Sequence, residues 1–246
     1  MRTAKQASVK GPRPRPAGRA AATKGTRMGK RKDGIETRGR ILTAACEIFA
    51  QKGFHDAKVE EICKRAKTNI AAINYYFGSK DQLYAKVWRH AFEKSLEAYP
   101  PEGGVSPDAP AEQRLRGTIR SLVGKAVNPG RIGDAGKLLL REMIHPTDVI
   151  EQIRHDALGP LHDRMDKLIS ELLGPEATRE QIQLCMMSVA HQCIAIGIRL
   201  FKGKMPPQHK LDIPTEELVE TLADHITRFS LAGIEATREH IKAGVS

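Results

Sequence analysis

The segment that most constrains the fold of this chain is residues 60–79, EEICKRAKTNIAAINYYFGS. Its pattern predicts two short helices separated by a tight turn at 66–68, with the second helix capped by Asn69 or Thr68. Ile62, Ile73 and Phe77 then fall on one apolar side. The residues left to face outward are Asn74, Tyr75, Tyr76 and Lys80.

Two braced short helices of this kind predict a helix-turn-helix, in which the first helix supports the second so that it can lie in a DNA major groove. The flanking sequence is consistent with a helix-turn-helix. A preceding helix is expected to open with a capping box at 33–36, to carry one apolar stripe and to end at Gly53. A fourth helix is expected after Gly78, beginning with a second capping box at 79–82.

The charge distribution separates the N-terminus from the rest of the chain. Residues 1–32 hold 11 of the 40 Lys and Arg residues and none of the 29 acidic ones, so residues 33–246 carry 29 of each sign. The net charge of +11 therefore comes entirely from the first 32 residues. A high pI is thus weak support for nucleic-acid binding by the folded part, although a basic tail attracts phosphates without regard to sequence.

Residues 1–32 are also rich in Pro, Gly and Ala and poor in large apolar side chains. Such a segment cannot bury enough surface to offset the entropy of ordering it, so we expect a disordered basic tail. Two interpretations stay open for it. It is either a DNA-contacting arm, or a passive solubilising extension or over-long choice of start codon.

The remaining chain shows apolar periodicity near 3.6 and recurring cap signals, which predict an all-α protein. A Pro- and Gly-rich stretch at 100–110 predicts the boundary between a DNA-binding domain, 34–94, and a C-terminal domain, 111–243. Helices are expected near 112–127, 134–144, 147–156, 160–173, 178–202 and 215–242.

The predicted helix 178–202 is apolar on two sides, which indicates burial on both. Leu184, Met187 and His191 lie on one side, and Val189 and Cys193 on the other. One side would face its own domain. The other is expected to pack against the same helix of a second copy of the chain. The last helix would supply the rest of this homodimer interface.

With these residues in view, the stretch from Ile70 to Tyr84, IAAINYYFGSKDQLY, resembles the N-terminal domain of the TetR family. The Asn-Ile-Ala-Ala-Ile form of the second helix and the residues around 160–162 are similar to the CecR (YbiH-like) subgroup. The resemblance implies a homodimeric transcriptional regulator, usually a repressor, that binds a palindromic double-stranded DNA operator. A divergent C-terminal helical domain would bind an apolar or amphipathic small molecule and dimerise.

The resemblance also implies roles for single residues. Contacts to phosphates are expected from a first group, and contacts to base edges from a second. The first group is Thr68, Asn69, Tyr75, Tyr76 and Lys80, and the second is Ala71, Ala72 and Asn74. Family members usually have Gly where this chain has Lys67, so a positive φ there would carry modest strain.

The effector site is less defined by sequence. Helices 134–144, 160–173 and 178–202 are expected to line it, and the candidates to orient a ligand are Arg141, His145, Ser188 and Gln192. Cys185 and Cys193, eight residues apart near His191, allow a metal or redox sensor, but buried core residues are the commoner interpretation, so no metal and no cofactor are expected.

Other functional classes find little support in the sequence. It has no nucleophile-elbow, zinc-protease or phosphate-loop motif, so catalysis is not expected. An architectural DNA binder would need a basic face on the folded part, which is neutral overall. The longest uncharged run, 184–198, is too short to span a bilayer, and the four cysteines are scattered. We therefore expect a cytoplasmic protein, nucleoid-associated when bound to DNA.

Overall fold

The computed structural model describes residues 23–201 and 213–244. Within these ranges the chain forms α-helices and short 3₁₀ helices and contains no β-strand, which confirms the all-α prediction. The α-helices are α1 (Thr23–Asp56), α2 (Val59–Ala66), α3 (Ile70–Phe77), α4 (Lys80–Ala98), α5 (Ala111–Val127), α6 (Asp134–Ile144), α7 (Glu151–Leu173), α8 (Arg179–Phe201) and α9 (Thr215–Lys242). The 3₁₀ helices are Pro101–Gly104, Pro129–Ile132 and Asp148–Ile150.

Helix α1 begins earlier than the sequence pattern indicates. It starts at Thr23 and not near Asp33, so the last ten residues of the predicted disordered tail are helical. Residues 23–32 contain no proline, and Lys, Arg and Met are good helix formers that outweigh the two glycines. Residues 1–22, which hold the prolines of the tail, lie outside the described residues, and disorder there stays a prediction.

Gly53 was expected to end α1, and it produces a sharp change of direction within it. Its φ of 80° and ψ of −179° lie in a region that essentially only glycine occupies. A β-carbon at this position would also lie 2.7 Å from Nε of Arg141. The last turn of α1 is thereby redirected towards α2, with the Arg141 side chain packed over the bend.

Helix α7 is continuous, although the sequence predicted separate helices at 147–156 and 160–173. Pro160 lies inside it, and residues 148–150 form a 3₁₀ helix before it. Proline removes one backbone hydrogen bond, which would normally break a helix. Pro160 is exposed, so water can satisfy the carbonyl group that loses its partner.

Two hydrophobic cores organise the molecule. The first joins buried side chains of α1–α4, among them Phe49, Ile62, Phe77 and Trp88. It also includes Leu138 of α6, so α6 crosses the domain boundary predicted at 100–110. The second core joins α5, α7, α8 and α9.

The predicted linker 100–110 is docked against α5. A β-carbon on Gly117 would lie 2.0 Å from the carbonyl oxygen of Glu102, so only glycine allows this approach. Ser121 Oγ donates a 3.1 Å hydrogen bond to the carbonyl of Tyr99. The linker therefore fixes the end of α4 against the second core.

Helix α8 divides into two faces as predicted. Val189 and Cys193 are buried in the second core, whereas Leu184 and Met187 are 64% and 50% exposed. Phe229 of α9 is exposed by 64% as well. The side chains of Ile196 and Leu200, which helical spacing places on the same side of α8 as Cys193, lie outside those that the structure describes. None of the described helices combines the length and the apolar character needed to cross a membrane.

Candidate nucleic-acid interface and internal cavity

The turn between α2 and α3 has the backbone geometry that a helix-turn-helix requires. Lys67 ends α2 in the left-handed conformation, with φ 52° and ψ 53°, so the positive φ anticipated at this position is present. Thr68 N–H donates a 3.0 Å hydrogen bond to the carbonyl of Cys63. Asn69 then caps α3, because its side-chain oxygen accepts a 2.9 Å hydrogen bond from Ala72 N–H.

Helix α3 presents a compact outer face. Ile73 and Phe77 are buried against the first core, which turns Ala71, Asn74 and Tyr75 outward. Tyr75 is 82% exposed, and its ring meets that of Tyr76 edge-on at a centroid distance of 5.0 Å. This face offers a methyl group, an amide and a phenol to whatever lies against it.

Three of the predicted contact residues are less available than the sequence indicated. Ala72 and Tyr76 are half-buried and pack against the first core. A β-carbon on Gly34 would lie 3.3 Å from the Tyr76 hydroxyl, so this phenol lies beside the first half of α1. Thr68 was expected to contact a phosphate, and its backbone N–H is not free to do so because it donates to the carbonyl of Cys63.

Lys80 lies at the start of α4 with its ammonium group against the protein. Its Nζ is 3.3 Å from the carbonyl oxygen of His55 and 4.7 Å from the centre of the Phe54 ring. An ammonium group has three donors, so one carbonyl contact leaves donors for a phosphate. These contacts place its charge beside the helix-turn-helix.

Two further cations border α3 that sequence reasoning missed. The guanidinium group of Arg38 lies 5.6 Å from the centre of the Phe77 ring, and Lys86 Nζ lies 5.5 Å from it. Both side chains are exposed. They come from α1 and α4, and no local motif marks them, so only the packing of these helices around α3 reveals them.

A cavity of about 560 Å³ lies between α4, α5, α6, α7 and α8. This volume lies within the usual range of small-molecule sites, roughly 300–1,000 Å³. Its wall is mainly apolar, with Trp88, Phe92, Leu122, Leu139, Met165 and Ile194 among its residues. The three helices predicted to line an effector site all contribute, and α4 and α5 are additions.

None of the four side chains predicted to orient a ligand lines this cavity. Arg141 donates to the backbone carbonyls of Gln51 and Lys52, at 3.3 and 3.0 Å. His145 is exposed where α6 ends. Ser188 and Gln192 bond to backbone carbonyls within α8. Periodicity identified the helices correctly but not the rotation of each helix about its axis, which depends on its neighbours.

The polar centre of the cavity wall is Glu142, which sequence reasoning missed. Tyr84 Oη donates a 2.6 Å hydrogen bond to Glu142 Oε2, and the backbone N–H and hydroxyl of Thr147 donate to Oε1 at 2.6 and 2.9 Å. Arg154 lies 3.8 Å from the same carboxylate. Burial, followed by the bond to Glu142, raises the pKa of Tyr84, so its phenol stays protonated and acts as the donor.

The cysteines of α8 do not form a metal centre with neighbouring residues. Burial raises the pKa of Cys193 to about 12 and also raises that of Cys185, which disfavours the thiolate that a metal needs. Across residues 23–201 and 213–244, no three His, Cys, Asp or Glu side chains are grouped so as to hold a metal ion.

Family models match most of the described chain. Residues 41–87 match the N-terminal domain of bacterial regulatory proteins of the TetR family. Residues 111–234 match the C-terminal domain of the HTH-type transcriptional dual regulator CecR. Together the two matches cover the helix-turn-helix and the helices that enclose most of the cavity.

Individual proteins agree with the family models. The chain is 28% identical to the dual regulator CecR of Shigella flexneri over 173 residues, which are 67% of this chain and 77% of that protein. It is 34% identical to the probable regulator YttP of Bacillus subtilis over 178 residues, 71% of this chain and 80% of that one. A TetR-like regulator from Rhodococcus sp. RHA1 has the same fold, with a TM-score of 0.56 at 21% identity over 81% of this chain and 96% of that chain.

The resemblance noted in the sequence is therefore confirmed by the family models, by relatives aligned over about two thirds or more of the chain and by the helical architecture. The homologues and fold neighbours are transcriptional regulators and not enzymes. The chain belongs to the TetR family as a DNA-binding transcriptional regulator of the CecR-like type.

Proposed function

We propose that the protein is a repressor that binds a palindromic operator as a homodimer and is released when an apolar or amphipathic small molecule enters the cavity. Helix α3 of each copy would lie in a major groove. Two such helices would reach successive grooves about 34–36 Å apart, one helical turn of DNA.

The roles of the DNA-facing residues follow from their exposure. Tyr75 would donate to a phosphate from the exposed face, and Tyr76 and Lys80, which are half-buried, would do so from the edge of the interface. Asn74 and Ala71 would contact base edges, with Asn74 suited to adenine. Thr68, Asn69 and Ala72 would act mainly by holding the turn and the start of α3 in place.

A second copy of the chain would cover the exposed apolar side chains of α8 and α9. Among the described side chains of α8 and α9, the large apolar ones that are exposed are Leu184, Met187 and Phe229. Exposed apolar groups that recur on one face of adjoining helices favour association with a partner. Pairing about a two-fold axis would bring the same face of each copy together.

The observation that carries the effector part of the proposal is the double attachment of α6. Glu142 lines the cavity and is hydrogen-bonded to Tyr84 of α4. The neighbouring Arg141 holds the carbonyls of Gln51 and Lys52 at the bend of α1. A ligand that displaces α6 would shift both contacts and so move α1 and α4, which support α3. It would lower DNA affinity only to the extent that it binds the two arrangements unequally.

Footprinting on the DNA that flanks the gene would test the DNA-binding part. We expect two protected half-sites whose centres are about 10 base pairs apart, or a multiple of one helical turn. A single protected half-site, or one without two-fold symmetry, would contradict the palindromic operator. A reporter fused to the same promoter should rise when the gene is deleted, whereas a fall would indicate an activator.

Fluorescence anisotropy on that operator, repeated with apolar and amphipathic compounds, would test the effector part. The matched control is Ala190→Trp, which fills the cavity from α8 and leaves α3 untouched. A compound that releases the wild type and not the variant would support the proposal. Release of both with equal potency would assign the effector to another site.

A further inference from the structure

Most polar groups on the wall of the cavity already have a protein partner or face solvent. The carboxylate of Glu142 is held by Tyr84 and Thr147, and Arg154 is its nearest cation. The wall residues His162, Arg164 and His191 are exposed. Within the described part of the chain, two charged side chains of the wall remain without a protein partner, Glu102 before α5 and Lys125 of α5.

Lys125 is an unpaired cation in an apolar setting. Among the described residues it makes no hydrogen bond and no ion pair, and it lines the cavity beside Leu122 and Ala126. Burial alone lowers the pKa of its ammonium group to about 8, with no carboxylate opposing the shift. The group therefore carries its charge at neutral pH without a partner to stabilise it.

Lys125 is half-buried, so part of its side chain reaches water, but the apolar wall leaves its charge incompletely solvated. Burying a charge without a partner costs free energy that a methionine of similar length would not. A residue that breaks a folding rule at a cavity is typical of a functional site, where a ligand supplies the missing partner. Here the missing partner is an anion.

The rest of the wall determines the chemical character of the remainder of the ligand, beyond its anionic group. The rings of Trp88 and Phe92 are stacked with centroids 5.3 Å apart and planes 6° apart, and both line the cavity. Leu139, Met165 and Ile194 line it from three other helices. An occupant must therefore be apolar over most of its surface.

We propose that the cavity takes an amphipathic anion, whose carboxylate, sulfonate or phosphate group pairs with Lys125 while its apolar part lies against the stacked rings and the aliphatic wall. This inference rests on the proposed effector role of the cavity and names the chemical class of the effector. Lys125 acts as a specificity-determining residue, because it favours an anion over a neutral molecule of the same shape.

Other charges of the wall bear on this preference. The groups that share the cavity with Lys125 are Glu102 before α5, Glu142 on α6, Arg154, His162 and Arg164 on α7, and His191 on α8. Glu142 is paired, and Glu102 lies beyond ion-pair distance of Lys125. Counting lysine and arginine alone, the wall has three cations and two carboxylates, so its net charge does not oppose an anion.

Two fluorescent probes that differ by one anionic group test the inference on the full-length protein. They are 8-anilinonaphthalene-1-sulfonate and N-phenyl-1-naphthylamine, which lacks the sulfonate. The measured quantity is the ratio of their Kd values at pH 7. We expect Lys125→Met to shift this ratio against the sulfonate by at least about tenfold, the usual effect of losing a charged partner. The control Lys94→Met, at an exposed lysine of α4, should leave the ratio unchanged.

A second measurement needs no variant. Raising the pH from 7 to 10 should weaken binding of the sulfonate probe to the wild type, because Lys125 loses its proton in the free protein above pH 8. Binding of the neutral probe should change little over the same range. Equal pH dependence of both probes, or a ratio that Lys125→Met leaves unaltered, would overturn the anion preference.

The variant Ala190→Trp separates this inference from the function on which it rests. If both probes bind the wild type and neither binds Ala190→Trp, the cavity is a ligand site, and the ratio then decides the inference alone. If neither probe binds the wild type, or binding survives in Ala190→Trp, the cavity is not the site, and both the inference and the effector part of the proposed function fail.

Discussion

Tyr84 donates a 2.6 Å hydrogen bond to the buried carboxylate of Glu142, across 58 positions of sequence. The bond joins α4, which packs against the helix-turn-helix, to α6, which forms part of the cavity wall. Both groups are almost fully buried, so neither can exchange its partner for water without a rearrangement. This pair is a direct physical connection between the two halves of the proposed switch.

Removing the hydroxyl group in Tyr84→Phe should destabilise the protein by about 1–3 kcal/mol, because one oxygen of a buried carboxylate loses its donor. The measurement is urea unfolding at one fixed protein concentration, since association alters the midpoint. Tyr75→Phe is the control, because that phenol is exposed. Equal stability of Tyr84→Phe and the wild type would show that the bond contributes nothing net.

Tyr75→Phe and Lys80→Ala should each weaken binding to phosphates without changing sequence preference. Each is expected to cost about 0.5–1.5 kcal/mol per subunit, hence roughly 5- to 150-fold in affinity for a symmetric dimer. Anisotropy titrations at one salt concentration, on the operator and on unrelated DNA, give the two reductions in affinity. An unchanged Kd would remove the residue from the interface.

Asn74→Ala should instead relax selectivity at a single base pair of each half-site. Asparagine pairs with adenine through two hydrogen bonds, and such a pair discriminates by about 1–3 kcal/mol. Binding selection from a library randomised over the half-site measures the change. Loss of affinity spread evenly over all positions would assign Asn74 to the backbone.

The basic tail is tested by deleting residues 1–22, which hold six Arg and Lys residues and precede α1. If the tail binds phosphates, the slope of log affinity against log salt should flatten by about 0.9 for each phosphate that the shortened protein no longer neutralises. Titrations between about 50 and 200 mM salt supply the slope, because affinities that depend on phosphate contacts fall steeply over that range. An identical slope would leave the passive-extension interpretation.

Lys125→Met should raise the stability of the ligand-free protein at pH 7. Burial lowers the pKa of Lys125 from 10.5 to about 8, so the unfolded chain binds more protons between these values, and wild-type stability rises with pH in that window. The cost of the charge is fully present below pH 8 and disappears towards pH 10.5. The advantage of the variant should therefore shrink as the pH rises from 8 to 10.5. Unfolding free energies of both proteins at pH 7, 9 and 10.5 provide the comparison, and a constant difference would contradict the lowered pKa.

Much of the fold was predictable because its signals are local. Asn69 at the start of α3, Gly78 at its end and the reciprocal bonds of Thr178 and Gln181 before α8 are all caps that form between residues near in sequence. The apolar spacing of α3 identified Ile73 and Phe77 as buried. Pro160 misled the prediction of α7, because whether a helix tolerates proline depends on solvent access to one carbonyl group.

The residues of the cavity were not predictable in the same way. Arg141 and Glu142 are neighbours on α6, yet one points to the bend at Gly53 and the other to Tyr84 and the cavity. Sequence spacing gives their relative angle but not which of them faces the interior. Lys125 had no sequence signal at all, since its importance comes from partial burial in the cavity wall and from the lack of a protein partner.

The amino-acid sequence by itself determined the helical class, the helix-turn-helix, its exposed Tyr75 and the two-faced character of α8. These depend on hydrogen bonds, caps and apolar spacing within about one to three helical turns. Only the tertiary structure decided where α6 attaches, which side chains enclose the cavity and which cation remains unpaired there. Burial and long-range contacts set those features, and both arise only when helices distant in sequence pack together.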